Sequence, residues 1–390
     1  MKHLLRSLFP FALVLLASCG GGGGVDTGGT GGAVPAGAAG PIAGFGSVFV
    51  GNVRFDDSAA EVEDFDGNRR SRDDLRLGMT VEIESAAVAD SAGQPTASAR
   101  RIRVESELAG FVAAVDLARE TFTVLGQRVA VDAATVFDER LAGGLAGLSP
   151  GQAVEVYAEF DAEQQRYRAT RVEPAEPGSG LLRLRGPVAE VSPLLGTLRI
   201  GSALYRYDRA DGVPPNLAPG TWVRLRLAFV PNPVASWEVQ RFTLALREWA
   251  DTDDLRLEGR VTARGSGAGF AVNGRPVDGS GVSLPPSLVL GARVEVWGGL
   301  RAGVLRATRV EVRTESESVE REFRLEGALA AVDAGAGTVL LRGLTVSTRR
   351  AGLRVDCSPP AALVVGQRVD LRARLAADRR TLEATRITCR

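Results

Sequence analysis

One pattern recurs five times along the chain: a leucine, a glycine three residues later, then two apolar residues separated by a polar one. It runs Leu75, Gly78, Val81, Ile83; Leu148, Gly151, Val154, Val156; Leu217, Gly220, Val223, Leu225; Leu288, Gly291, Val294, Val296; and Leu363, Gly366, Val369, Leu371. Successive glycines stand 73, 69, 71 and 75 residues apart. A period held that closely is the mark of a tandem array of one small unit. Each copy opens on an apolar-x-Gly entry, around Gly44, Gly110, Gly186, Gly259 and Gly327. Each closes on Arg followed by an apolar residue, at Arg101-Ile102, Arg171-Val172, Arg241-Phe242, Arg309-Val310 and Arg386-Ile387. Between entry and repeat, Gly51-Asn52 and Asn273-Gly274 sit between alternating residues. These dipeptides suit a type I′ hairpin turn, which needs positive φ at both central positions.

Alternation sets the class of the unit. In the second copy Val154 and Val156 share one face and Glu155 the other, while Val172 faces in and Arg171 and Glu173 face out. One face is buried and one is wet. Apart from the first residues, no window holds a 3.6-residue apolar period, so an all-β chain is expected. About 70 residues with five or six short strands suit a small closed barrel, which removes exposed edges, with a topology like that of oligonucleotide/oligosaccharide-binding (OB) domains. The expected modules are 41–107, 108–176, 183–250, 256–313 and 324–390. Pro174 to Gly180 and Thr314 to Glu322 read as linkers. The third copy departs most, with Arg224 where the others carry Glu82, Glu155, Glu295 and Asp370.

This five-copy pattern, with the run Gly44-Phe45-Gly46-Ser47-Val48-Phe49-Val50, resembles bacterial lipoproteins built of tandem copies of domain of unknown function 5666. The resemblance covers nearly everything after Gly40. It implies a fold and an envelope location, and no activity.

The front of the chain reads as an address. Lys2 and Arg6 precede an almost wholly apolar stretch from Leu8 to Ala17, and Ala17-Ser18-Cys19 follows. The apolar run is about half of the roughly 20 residues a spanning helix needs. Small residues before a cysteine fit a lipoprotein signal peptide, 1–18. Cys19 is then the expected lipid-attachment site, with the membrane reached through the anchor. Each buried CH₂ of the acyl chains contributes about 0.8 kcal/mol. Gly20 after Cys19 favours the outer membrane over the inner. Residues 19–40, nearly all Gly, Ala and Thr, read as a disordered tether spanning roughly 25 Å.

Composition narrows the chemistry. The sole His, His3, and the sole Lys, Lys2, fall inside the expected signal peptide. Without them there is no Ser-His-Asp or Cys-His apparatus, no His-liganded metal and no Schiff-base or P-loop lysine. No catalytic residue, no metal and no cofactor is expected, and the chain reads as no enzyme. The 47 basic and 47 acidic residues interleave, where a nucleic-acid binder would show a basic stripe; no nucleic-acid partner is expected. In an exported protein the two remaining cysteines, Cys357 and Cys389, read as a disulfide. A loop of about 31 residues closed in this way adds about 3 kcal/mol.

Candidate binding residues are few. Trp222, Trp237, Trp297 and Tyr157 point away from their own cores by strand parity. Aromatics so placed stack on sugar rings or fill a partner's pocket, and packing between modules would place them equally well. The repeated acid, Glu155 for instance, reads as a cross-strand partner for the arginine of the last strand, Arg171. Glu63-Asp64-Phe65-Asp66-Gly67-Asn68 has the oxygen density of a calcium loop with the wrong spacing for an EF-hand, and a plain turn is the simpler reading. The expected function is an envelope protein whose extended array binds a protein or glycan, the alternative being a structural spacer or assembly component without a small ligand.

Overall fold

The alternation seen in the sequence is realised as β-structure throughout. The computed structural model describes residues 36–91, 93–175, 182–229, 237–246, 249–313, 321–357 and 363–390. Cys19, the expected signal peptide and most of the two linkers lie outside the described residues. Among those described there is no α-helix, only two 3₁₀ turns, Arg72–Asp74 and Gly144–Gly147. Among the described residues no helix is long and apolar enough to cross a membrane.

Module 2 shows the unit plainly. Its five main strands are Leu108–Asp116, Thr121–Val124, Gln127–Ala130, Ala153–Asp161 and Arg166–Pro174. The first pairs antiparallel with the second and the fourth, and the second antiparallel with the third. The third runs parallel to the fifth, which returns antiparallel to the fourth. The circuit closes as 1-2-3-5-4-1, a five-stranded Greek-key barrel of OB type. Module 4 closes in the same way from Thr252–Arg264 through Val304–Val312. In modules 1, 3 and 5 the first strand is broken in two, as Ala36–Pro41 with Gly44–Phe45, Arg183–Pro187 with Glu190–Ser192, and Phe323–Ala328 with Ala331–Asp333. The remaining main-strand pairings of these three modules follow module 2, with two additional short strands in module 1, Arg69–Arg70 and Ala89–Ser91.

The repeat glycine holds each barrel to its first strand. Gly78, Gly151, Gly220, Gly291 and Gly366 all lie at φ between +79° and +88°. Their N–H groups donate to the carbonyls of Ile42, Val112, Val188, Val261 and Leu329 at 2.7–2.9 Å. A side chain at that φ costs about 1–2 kcal/mol. A Cβ on Gly151 meets no atom within 4 Å, whereas one on Gly78 would lie 2.4 Å from the Thr170 carbonyl oxygen of module 2. Gly151→Ala is therefore expected to lower stability by about 1–2 kcal/mol, and Gly78→Ala by distinctly more, measured side by side in urea unfolding. The hairpins also behave as expected: Gly51-Asn52 and Asn273-Gly274 both have positive φ at both positions.

The array is not extended. The segment from Ala36, read from the sequence as the end of a tether, is a buried strand. It pairs antiparallel with the fourth strand of its own barrel, Thr80–Ser85, and parallel with the first strand of module 4, from Ala36↔Asp254 to Ala39↔Leu257. Small residues are required there. A Cβ on Gly37 would sit 2.7 Å from the Trp249 ring and 2.9 Å from the Ile83 carbonyl oxygen. Two residues further on, Gly44–Phe45 runs parallel to module 5 at Arg324 and Leu325. Modules 2 and 3 join through Leu108↔Leu184 and Ala109↔Arg183.

The apolar cores merge accordingly. One cluster spans modules 1 and 5, from Ile42 and Phe55 to Phe323 and Ile387; a second spans modules 2 and 3; the third is chiefly module 4. In module 5, Cys357 and Cys389 form a disulfide, tying the strand Arg354–Asp356 to the last strand over 32 residues of sequence. Cys357→Ser with Cys389→Ser is expected to cost about 3 kcal/mol, read as a lowered unfolding midpoint of module 5.

Candidate functional site

Arginine side chains join the barrels. Arg260 of module 4 meets Glu159 of module 2 at 3.5 Å, Arg275 of module 4 meets Glu82 of module 1 at 3.3 Å, and Arg183 of module 3 meets Glu155 of module 2 at 3.0 Å. Arg54 of module 1 meets Glu326 of module 5 at 3.3 Å. The expected pairing of Glu155 with Arg171 is not formed. Register explains this, because Glu155 stands opposite Glu173 and Arg171 opposite Tyr157. Arg171 turns instead to Glu173, at 2.7 Å, and to Asp138. The repeated acids are thus used mostly between barrels or against other strands. Asp370 pairs with Arg324, and Glu295 with Arg313.

The odd residue of module 3 belongs to the same scheme. Arg224 forms an ion pair with Glu105, lies 3.8 Å from Asp66 and covers the Phe65 ring at 4.5 Å. Arg226 reaches Asp66 at 2.7 Å. The acid-rich segment at Glu63 to Asn68 is therefore a turn, held by Asp64 accepting from the Asp66 and Asn68 backbone N–H groups, and its outer carboxylate docks module 3. Among the described residues no group of three His, Cys, Asp or Glu side chains is placed to hold a metal ion. Burial pulls the Arg224 guanidinium down to about 10, against the opposing pull of Asp66 and Asp64. Burial likewise pushes Glu107 up to about 7, although Arg185 lies 3.2 Å away and the Ala158 N–H donates to it at 2.9 Å.

Three of the four candidate aromatics are absorbed by these contacts. Tyr157 points out of its own barrel and is buried in the core shared by modules 1 and 5. Trp222 stands edge-on to Phe160 of module 2 at 6.3 Å, carries Arg185 at 5.0 Å and faces Gly274 of module 4, whose missing Cβ makes room for the indole. Trp237 packs on the core of modules 2 and 3. Trp297 remains half-buried on module 4, opposite Arg256 and under Arg309, whose guanidinium is 4.7 Å from the ring.

The open space lies elsewhere. Modules 1, 2 and 5 enclose a cleft of about 740 Å³, within the ~300–1,000 Å³ usual for ligand sites. Its apolar lining includes Phe45, Leu75, Val136, Leu344 and Leu375. Around this lining stand Arg72, Arg76, Arg171, Arg342 and Arg380, with Asp57, Asp73, Asp138, Glu139 and Asp378. Two of these arginines are matched by acids, Arg171 by Asp138 and Arg72 by Asp57 at 3.9 Å. Burial acts to raise the Asp138 carboxyl, but hydrogen bonds from Arg140 and the charges of Arg171 and Arg140 hold it below its ordinary range. Arg76 donates to the carbonyls of Leu75, at 3.0 Å, and of Asp73. Arg342 donates to Glu326 O at 3.2 Å and Gly46 O at 3.4 Å, and Arg380 to Glu139 O at 2.8 Å. Carbonyl oxygens satisfy donors without neutralising charge. Module 5 contributes the hairpin turn at Arg342 and the loop between its fourth and fifth strands, which bonds to module 2 through Phe137 N to Arg379 O at 3.0 Å.

Comparison with known families decides the unit. The family described as Domain of unknown function (DUF5666) matches residues 109–173, 258–311 and 326–388. Three segments of the chain are similar to this domain. The matched segments fall on the second, fourth and fifth barrels; the first and third share their strand circuit. In these two the sequence bends to assembly, through the small-residue strand at Gly37 and the reversed charge at Arg224. No curated protein matches the chain.

Nothing in the sequence singled out the cleft. Its residues belong to three copies, and four of its five arginines, all but Arg171, lie outside the strands, with partners set by tertiary contacts.

Proposed function

We propose that this is an exported, lipid-anchored and non-catalytic protein of the cell envelope that takes a glycan or an extended protein segment in the cleft among modules 1, 2 and 5. The cleft carries this reading: it combines an apolar floor with two guanidinium groups, Arg76 and Arg342, that have no carboxylate partner among the described residues, and it is edged by connecting loops of module 5, the part of an OB-type barrel used for ligands. Anchoring through Cys19 rests on the signal-like start of the chain. Thr345→Trp, which fills the cleft from an exposed position, is expected to abolish capture of the envelope partner by the full-length protein. Cys19→Ala is expected to move the protein from the membrane to the soluble fraction. Retention of the partner by the Thr345→Trp protein would remove the cleft from consideration.

A second reading, a spacer or assembly component, draws on Trp222, Trp237 and Tyr157, which serve contacts between modules. It predicts that changing Trp222 to Ala lowers stability and leaves any captured partner in place.

A further inference from the structure

We propose that the ligand of the cleft is an acidic saccharide, a hydroxyl-rich chain bearing one carboxylate on each sugar, received by Arg76, Arg342 and Arg380. The inference rests on reading the cleft as a binding site and names what enters it. All three arginines line one cavity, and each spends its hydrogen bonds on backbone carbonyls. The Arg380 Nε is shut off from solvent with no acceptor. A carboxylate entering here meets planar forks suited to bidentate bonding; among the described residues no carboxylate pairs with Arg76 or Arg342, and Arg380 shares its charge with Asp378.

The rest of the lining argues against a polyphosphate. Across the whole cleft five arginines face five carboxylates, so a densely charged polyanion gains no net field and would be repelled by Asp73 and Glu139 on the rim. Those two exposed carboxylates are acceptors, which sugar hydroxyls need, while Phe45 offers a half-buried ring to the apolar face of a sugar. Arg342 holds its place at φ +54°, the left-handed region, at the tip of its hairpin. That is the type I′ hairpin position taken by Leu125 in module 2 and Asn273 in module 4, and it projects the guanidinium from the turn.

The test is calorimetric titration of the whole protein with trigalacturonic acid, its fully methyl-esterified form, and a triglutamate peptide. Trigalacturonic acid is expected to bind, with the neutral ester at least ten-fold weaker. Arg76→Gln, Arg342→Gln and Arg380→Gln should each weaken the acid at least five-fold and leave the ester unchanged. Equal affinity for acid and ester in the unaltered protein overturns the inference without recourse to any variant. Preference for triglutamate, abolished by Thr345→Trp, overturns the saccharide and keeps the cleft as a protein site. Failure of trigalacturonic acid to bind also overturns the saccharide, and the cleft reading is then judged separately by whether Thr345→Trp still loses the envelope partner.

Discussion

Arg224→Glu is expected to uncouple module 3 from module 1 and to cost about 3–5 kcal/mol, the usual effect of removing one partner from a buried ion pair. The reason is local and severe. Arg224 is the cation between Glu105 and Asp66 and the cover of the Phe65 ring, and a glutamate there would place a third carboxylate in the same buried space. Urea unfolding should change from a joint transition to separated ones. Arg309→Glu supplies the contrast, since Arg309 pairs with Glu311 while 63% of its side chain is exposed, and the expected loss there is below about 1 kcal/mol. Equal cost for the variants at 224 and 309 would refute the view that charge reversal in the third copy serves assembly.

Acidification from pH 8 to pH 5 is expected to stabilise the protein. Burial raises Glu107 from 4.5 to about 7, and burial with the nearby Glu258 charge raises Glu295 from 4.5 to about 7. Between pH about 4.5 and 7 the folded chain keeps protons that the unfolded chain has released, so stability is full below the unfolded value and is lost as pH rises toward 7. The ceiling is about 3 kcal/mol for each group. Asp56, Asp138 and Asp378 act oppositely: each is held below 3.8 in the fold, and their contribution disappears only at pH below about 4. The optimum therefore falls near pH 5. Thermal midpoints measured from pH 4 to 8 should show that slope, and Glu107→Gln with Glu295→Gln should flatten it. A slope unchanged in the double variant would mean that other groups carry it.

Individual residues show how far sequence reasoning reached. The Gly78 series was legible because a glycine at positive φ is a local demand of the backbone, repeated wherever the barrel turns. Asn273-Gly274 was legible for the same reason. Alternation placed Tyr157, Trp222 and Trp237 outside their own barrels correctly, but parity names only a face and says nothing of what covers it. Neighbouring barrels cover all three. The segment from Ala36 reads as tether because its side chains are too small to form a core, yet that smallness is what lets it lie between modules 1 and 4. Arg224 was visible as an exception in its repeat, and its sign was the trace of a contact between copies. Arg76, Arg342 and Arg380 left no trace of a shared site.

Sequence alone determined that this chain makes small β-barrels, how many, and where each begins its turn, because hydrophobic alternation and backbone φ are properties of neighbouring residues. Tertiary structure alone decided that the barrels collapse on one another through their first strands and enclose a cleft among the first, second and fifth. Those contacts join residues up to about three hundred positions apart, such as Arg54 with Glu326. Their energies depend on burial, register and the charge met on arrival, none of which a short stretch of sequence carries.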